Sequence, residues 1–168
     1  MTLRLLLAVL SVCALSAGPV LPAEFSAKVV SVVDGDTINV MHDGIKERVI
    51  FYGIDCPELG QDFGDQARRF TDERTYKKDV TLDDKGKDSK GRTIAVVYLS
   101  DGTNLNQELV KRGLAWWSDK YAPADTKLKQ LHEAAKEAHL GLWSQSNPIP
   151  PWIWRNGSKS VQATIKSK

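Results

Sequence analysis

Two aspartate–glycine pairs, Asp34-Gly35 and Asp43-Gly44, interrupt a stretch rich in β-branched residues in the first third of the chain. Such pairs between extended segments are turn and hairpin signals, because glycine accepts the left-handed backbone that a tight turn requires. The three extended segments that result cover residues 25–33, 37–41 and 45–54. The pattern predicts a three-stranded β-meander, and Gly53 near its end predicts a bulge or a sharp bend.

The rest of the chain predicts two more strands and three helices. We expect strands over residues 80–82 and 93–99, a charged loop over 83–90, and helices over 63–78, 103–113 and 123–141. The last helix is expected to begin at Pro123 and to bury Ala138, while His132 faces solvent. Five strands in a 3 + 2 order with these helices fit a small α+β domain with an antiparallel barrel.

The first 23 residues have the composition of a secretory signal. Arg4 precedes an apolar run over residues 5–15, and a stretch of small residues and proline ends at Ala23. The apolar run is too short to span a bilayer well, since spanning takes about 20 residues. We therefore predict cleavage after Ala23 and an exported protein, periplasmic or secreted, without stable membrane association. The alternative is an uncleaved anchor.

Charge and cysteine counts narrow the classes of function. The chain has 23 basic and 21 acidic residues, so its net charge is +2. This balance excludes a strongly basic nucleic-acid coat, and binding to a polyanion would need a local patch. Cys13 would leave with the signal, so Cys56 would have no disulfide partner. One remaining cysteine and three histidines also argue against a structural zinc site.

Three acidic residues, Asp36, Asp55 and Glu58, fall at strand ends that a short meander can bring together. Oxygen-only ligation favours Ca²⁺ or Mg²⁺ over zinc or copper, and a carboxylate beside such an ion can position or deprotonate a water. Downstream, Arg92 supplies a guanidinium that suits a phosphate. Each segment also has a plainer interpretation, as a simple turn or as a loop with a charge at a helix start.

Three sequence blocks, in this order, resemble the staphylococcal nuclease (thermonuclease) family. They are Asp34-Gly35-Asp36-Thr37, Asp55-Cys56-Pro57-Glu58 and Asp88-Ser89-Lys90-Gly91-Arg92, and the resemblance covers roughly residues 25–143. It implies an α+β protein with a five-stranded OB-fold Greek-key barrel and three helices. We expect the nuclease-like domain over residues 24–146, followed by a tail over 147–168 that is rich in proline and tryptophan and then polar.

The resemblance also implies roles for individual residues. Asp36, Asp55 and the backbone carbonyl of Cys56 would bind calcium. Glu58 would orient or activate the attacking water, and Arg92 would stabilise the phosphate. Ca²⁺ is expected in preference to Mg²⁺. The implied activity is metal-dependent endonucleolytic hydrolysis of phosphodiesters in DNA and RNA, by a monomer.

The chain departs from the family pattern where a second catalytic arginine is expected, because Ile50 stands there. Arg48 shares its strand face and is a candidate partial substitute; the alternative is an exposed residue paired with an acid. Lys90 replaces a frequent aromatic residue of the nucleotide pocket, and Tyr121 matches a pocket tyrosine or else packs on the surface. Loss of one phosphate donor typically costs ~10²–10³ in rate. Activity is therefore expected to be reduced.

This departure keeps a second class of function open. A catalytically weak or inactive module of the same fold would bind nucleic acid or protein without cleaving it. Retention of Asp36, Asp55, Glu58 and Arg92 together favours the enzyme, since an inactive module has no need for all four. The late tryptophans are predicted to pack against the barrel or the last helix; stacking on bases is the alternative.

Overall fold

The computed structural model describes residues 24–157. The predicted signal over residues 1–23 and the last eleven residues, 158–168, lie outside the described part of the chain. The strands are β1 (Glu24–Val32), β2 (Thr37–His42), β3 (Ile45–Phe51), β4 (Ile54–Asp55), β5 (Asp79–Lys87), β6 (Thr93–Tyr98) and β7 (Trp116–Trp117). The helices are α1 (Gly64–Thr75), α2 (Leu105–Lys111), α3 (Thr126–Glu137), a 3₁₀ turn over Gly141–Ser144, and a short helix α4 over 151–157.

Five strands close into a barrel in the order β1-β2-β3-β6-β5. Strands β3 and β6 pair in parallel, and the other neighbours pair antiparallel. The α+β barrel is confirmed, and the expectation of purely antiparallel pairing is corrected at β3–β6. Alternate residues of each strand point inward, which buries Val29, Ile38, Val49 and Phe51 in one apolar core.

The third predicted strand is divided by a bend. Strand β3 ends at Phe51, Gly53 adopts a left-handed backbone with φ 74°, and the chain resumes as β4. The bend carries β4 off the barrel to pair with β7, so that Ile54 lies opposite Trp117 and Asp55 opposite Trp116. The prediction of a sharp bend at Gly53 is confirmed, and the bend is what aims Asp55 away from the barrel wall.

One predicted boundary is wrong because charged residues can lie in a strand when they are paired. Strand β5 continues through Lys87, where the sequence predicts a loop. Asp83 is buried there and forms an ion pair with Lys85 at 2.7 Å. This pairing offsets part of the cost of placing the Asp83 carboxylate inside the barrel wall.

The last helix differs from its prediction at both ends. It begins at Thr126, where the side chain of Asp125 accepts a hydrogen bond from the Leu128 amide, and not at Pro123. His132 is buried among tryptophans and accepts a hydrogen bond from the backbone N–H of Trp117, while Ala138 is exposed. Burial lowers the pKa of His132.

The C-terminal segment is more ordered than its composition predicts. Residues 151–157 form α4, a fourth helix where the sequence predicts three. The rings of Trp152 and Trp116 lie 5.5 Å apart, edge to face. Helix α4 therefore packs against the β4–β7 pair through Trp152. Within residues 24–157, no helix is long and apolar enough to cross a membrane.

Candidate active site

The turn between β1 and β2 holds Asp36 in a fixed position. The Asp36 carboxylate is 9% exposed; its Oδ2 accepts the backbone N–H of Cys56 at 2.5 Å, and its Oδ1 accepts the Thr37 hydroxyl at 3.1 Å. Gly35 packs so closely that an added Cβ would lie 2.7 Å from Cβ of Ala67 and 2.8 Å from the Cys56 side chain. Glycine is therefore required next to Asp36, and the turn cannot shift without moving α1.

The end of β4 and the segment that follows it place Asp55, Cys56 and Glu58 beside that turn. Cys56 is buried, and burial raises the pKa of its thiol, so the side chain behaves as a small apolar group. The backbone N–H of Glu58 donates to Oε1 of Gln61 at 3.0 Å, and the carbonyl of Glu58 accepts the Gln61 N–H at 2.9 Å. This reciprocal pair fixes the loop and leaves the carboxylates of Asp55 and Glu58 partly accessible, at 20% and 33%.

Negative charge is concentrated at this end of the barrel. Burial, together with the charges of Asp34 and Asp55, raises the pKa of Asp36 well above its ordinary value. The backbone N–H of Cys56 opposes this shift in pKa, because it stabilises the carboxylate. Within residues 24–157, no group of three or more histidine, cysteine, aspartate or glutamate side chains is arranged to hold a metal ion. The predicted metal ligands, two carboxylates and one carbonyl, do not require such a group.

The register of the barrel strands shows where Ile50, which replaces the expected second arginine, lies relative to its neighbours. Ile50 lies opposite Thr37 across β2, directly after Asp36, and opposite Ile94 in β6. Arg48 lies on the same face, opposite Asn39, and its Nε donates to Asn39 Oδ1 at 3.3 Å. Position 50 is thus one residue from Asp36 in the register of β2 and β3, whereas Arg48 is one pair farther along the strand, about 6.6 Å away.

The other residues predicted to bind substrate form their contacts with residues other than Asp36, Asp55 and Glu58. The guanidinium of Arg92 binds Oδ2 of Asp88, with Nη2 at 2.6 Å and Nε at 2.7 Å. The backbone N–H of Lys90 donates to Oδ1 of Asp88, and the Lys90 side chain is exposed. Tyr121 is 67% exposed in the turn after β7, with the Lys120 ammonium 5.1 Å from its ring centre. Exposure argues against an ordinary packing role for Tyr121.

An arginine that the sequence does not single out contacts the carboxylates directly. Arg155, in α4, donates from Nη1 and Nη2 to the two oxygens of Asp55 at 3.0 and 2.7 Å. Its Nη1 also donates to Oε1 of Glu58 at 2.6 Å. These hydrogen bonds raise the pKa of Arg155 above its already high value. The contact joins residues 100 apart in sequence, so no local pattern reports it.

Comparison with known proteins identifies the family. A sequence model described as "Staphylococcal nuclease homologue" matches residues 48–145. The chain belongs to the staphylococcal nuclease family. A protein named "Uncharacterized endonuclease" from Escherichia coli is 40% identical over 138 residues, which cover 82% of this chain and 90% of that protein. A "Micrococcal nuclease" from Shigella flexneri is 37% identical over 148 residues, covering 83% of this chain and 85% of its own.

More distant members of the staphylococcal nuclease family align over a shorter stretch. A "Thermonuclease" from Staphylococcus intermedius is 36% identical over 126 residues, which cover 68% of this chain and 73% of that protein. The predicted family and its barrel are thereby confirmed. The family match ends at residue 145, before the segment that carries Arg155. The available sequence signal for that segment is the rigid Pro148-Ile149-Pro150-Pro151-Trp152 stretch, which predicts packing but not the ion pair.

Proposed function

We propose that this chain is a divalent-cation-dependent nuclease that hydrolyses phosphodiester bonds in DNA and RNA. The observation that carries the proposal is the hydrogen bond from the Cys56 N–H to Asp36. This bond joins the β1–β2 turn to the segment that bears Asp55 and Glu58, in a chain of the staphylococcal nuclease family. A nuclease of this class needs two anionic oxygens for an ion and a third carboxylate for the water, on one rigid frame.

The residues present fit a hard divalent cation. The donors are carboxylate and carbonyl oxygens. Burial and the negative charges of Asp34 and Asp55 raise the pKa of Asp36, and a bound cation would offset that negative charge. Asp36, Asp55 and the carbonyl of Cys56 would hold the ion, and Ca²⁺ is the proposed cation. When bound, the ion acts as a Lewis acid on the phosphate. Waters and substrate would complete its ligands.

The chain's own groups supply the remaining chemistry. Glu58 accepts the proton of a water aligned for in-line attack, which requires its carboxylate free and ionised. To bind the phosphate, Arg92 would have to break its ion pair with Asp88 and donate to a phosphate oxygen instead. This replaces one charge-assisted hydrogen bond with another. Lys90 and Tyr121 are exposed and would contact the nucleic acid strand. Ile50 donates no hydrogen bond, so the proposed enzyme is slow, with Arg48 as a partial substitute.

The second candidate function is that of a catalytically weak or inactive module that binds nucleic acid or protein. Ile50 lies opposite Thr37, the residue after Asp36, and Arg92 is held by Asp88. In the described residues, no arginine of the barrel strands or of the β5–β6 loop forms an ion pair with Asp55 or Glu58. Plasmid and RNA degradation with Ca²⁺, Mg²⁺ or chelator separates the two. The enzyme cleaves with a cation and stops with chelator, and Glu58→Gln lowers the cleavage rate by ~10²–10⁴. Binding without cleavage under every condition would establish the module.

We also propose that the protein is exported as a monomer after removal of residues 1–23. The proposal rests on the basic, apolar and small-residue regions of that leader. N-terminal sequencing of material from the periplasm or medium should begin near Glu24. An intact Met1 on exported protein would refute cleavage, and light scattering at twice the mass of the chain would refute the monomer.

A further inference from the structure

The C-terminal segment, residues 145–157, covers the carboxylates of Asp55 and Glu58 with an arginine. Arg155 uses both outer nitrogens on Asp55 and one of them on Glu58, at 2.6 to 3.0 Å. This is the paired geometry in which a guanidinium binds a carboxylate most strongly. Both oxygens of Asp55 are engaged. A divalent cation that takes Asp55 as a ligand must therefore share an oxygen with the guanidinium and lie close to its positive charge, which opposes simultaneous binding.

The backbone on either side of the segment is anchored close to Asp55. The side-chain amide Nε2 of Gln61 donates to the carbonyl of Ile149, and the side-chain amide Nε2 of Gln145 donates to Asp62 at 2.7 Å. Pro151 is buried, and Trp152 lies against Trp116, the residue paired with Asp55 across β4–β7. These contacts bring the start of α4 to the site, and the Arg155 side chain, 43% exposed, reaches back over the carboxylates.

We propose that Arg155 is a latch: it occupies the cation-binding carboxylates of Asp55 and Glu58, and cation binding requires its release. The proposal rests on the proposed function, because it assumes that Asp55 is a metal ligand. The guanidinium and the divalent cation compete for the same oxygens, so each weakens the binding of the other by the same factor. The same contact engages Glu58, so the latched protein also lacks a free proton acceptor.

The coupling predicts a measurable gain when the latch is removed. Arg155→Gln should tighten Ca²⁺ binding by about fivefold or more, the lower end of typical coupling between sites, since the pair is partly exposed. Arg155→Lys should give a smaller gain, because lysine keeps the charge but cannot engage both oxygens. The matched control is Arg112→Gln, which removes an arginine paired with Glu108 at 3.3 Å on α2 and should leave Ca²⁺ affinity unchanged.

The experiment is calorimetric titration of the full mature chain and its variants with Ca²⁺ alone, followed by hydrogen exchange of the wild type with and without Ca²⁺. The amides of Ile153 and Trp154, which donate to Pro150 at 3.0 Å, report on the segment. Tighter binding by Arg155→Gln and faster exchange of these amides with Ca²⁺ support the latch. Circular dichroism verifies that each variant is folded.

Two outcomes overturn the inference and are distinguishable. If wild type binds Ca²⁺ and Arg155→Gln binds it equally or less tightly, the latch is wrong while the proposed metal site stands. If neither protein binds Ca²⁺ at millimolar concentration, the metal assignment at Asp55 fails and the latch fails with it. An Arg155→Gln protein with unchanged Ca²⁺ affinity but weaker binding of a single-stranded oligonucleotide would make Arg155 a substrate contact and not a latch.

Discussion

The two sides of the site are built in different ways. On the barrel side, Asp36 is 9% exposed, its carboxylate accepts a backbone N–H, and Gly35 leaves no room for a side chain. On the tail side, Arg155 is 43% exposed and meets the carboxylates through side-chain contacts alone. Backbone bonds and close packing fix a position, whereas exposed ion pairs are worth little and exchange readily with water. We therefore expect Asp36 to stay in place while the contact of Arg155 with the carboxylates opens and closes.

The largest expected effect tests whether the barrel side does the chemistry. Glu58→Gln keeps the shape of the loop, including the backbone bonds to Gln61, but removes the proton acceptor. Turnover should fall by ~10²–10⁴ while nucleic-acid affinity stays nearly constant. Rates are measured on a labelled DNA duplex and affinity by anisotropy. Glu47→Gln, on the barrel wall, is the charge-matched control. Equal rates for wild type and Glu58→Gln would make Glu58 structural.

A second test uses Ile50, the β3 residue that stands where the family pattern places an arginine. Ile50→Arg restores a donor opposite Thr37 and should accelerate cleavage by no more than ~10²–10³, the worth of one such donor. If Arg48 already serves the phosphate, Arg48→Ala will cripple the enzyme and Ile50→Arg will add little. Measuring both variants at saturating Ca²⁺ separates the cases. Inactivity of wild type and both variants would leave the binding module standing.

The third prediction concerns the charge on Asp36. Ca²⁺ at about 100 times its Kd should stabilise the wild type by about 2.7 kcal/mol, and Asp36→Asn should remove most of that gain. Without Ca²⁺, the effect of Asp36→Asn on stability has the opposite sign. Because the folded-state pKa of Asp36 is raised, its ionisation opposes folding at neutral pH. Asp36→Asn should therefore melt at a higher temperature than wild type at pH 7.

This difference depends on pH in a defined direction. The penalty is absent below the unfolded pKa of about 3.9, grows above it, and is complete above the raised folded pKa of Asp36. The gain from Asp36→Asn should vanish as pH falls toward 3.9. Calorimetry from pH 4 to pH 7 in chelator measures it. A gain that is constant with pH would show that the effect is not electrostatic.

The smallest effect probes the packing that holds the barrel side rigid. Gly35→Ala adds a methyl group that would lie 2.7 Å from Cβ of Ala67, and such overpacking costs about 1–3 kcal/mol. Gly157→Ala, whose Cβ would meet nothing within 4 Å, should be neutral. Urea unfolding compares them. If Gly35→Ala is as stable as wild type, the turn is more plastic than the account requires.

Local signals predict the parts of the fold that local chemistry decides. The Asp43-Gly44 hairpin has positive φ at both residues, and the side chain of Asn104 accepts the Gln107 amide at the start of α2, as a helix cap should. The aligned blocks likewise place Asp36 and Asp55 in one region. Each of these features depends on a few adjacent residues or on a motif that recurs across a family.

Features that depend on distant partners could not be predicted. His132 lies between Leu131 and Glu133, which does not decide whether it is buried or solvated, and tertiary packing buries it beside Trp116 and Trp143. Strand β5 extends through charged residues because Asp83 forms an ion pair with Lys85. Arg155 reaches Asp55 across 100 positions, guided by proline and tryptophan contacts that determine where α4 lies. In each case the deciding interaction is absent from the local pattern.

The most direct test of the central claim is a crystal structure of Glu58→Gln grown with Ca²⁺ and a short single-stranded oligonucleotide. The account predicts a Ca²⁺ ion between Asp36 and Asp55, a phosphate on that ion, and Arg155 released from Asp55. Density for the oligonucleotide with Arg155 still bound to both oxygens of Asp55, and no ion there at millimolar Ca²⁺, would contradict the proposed metal centre.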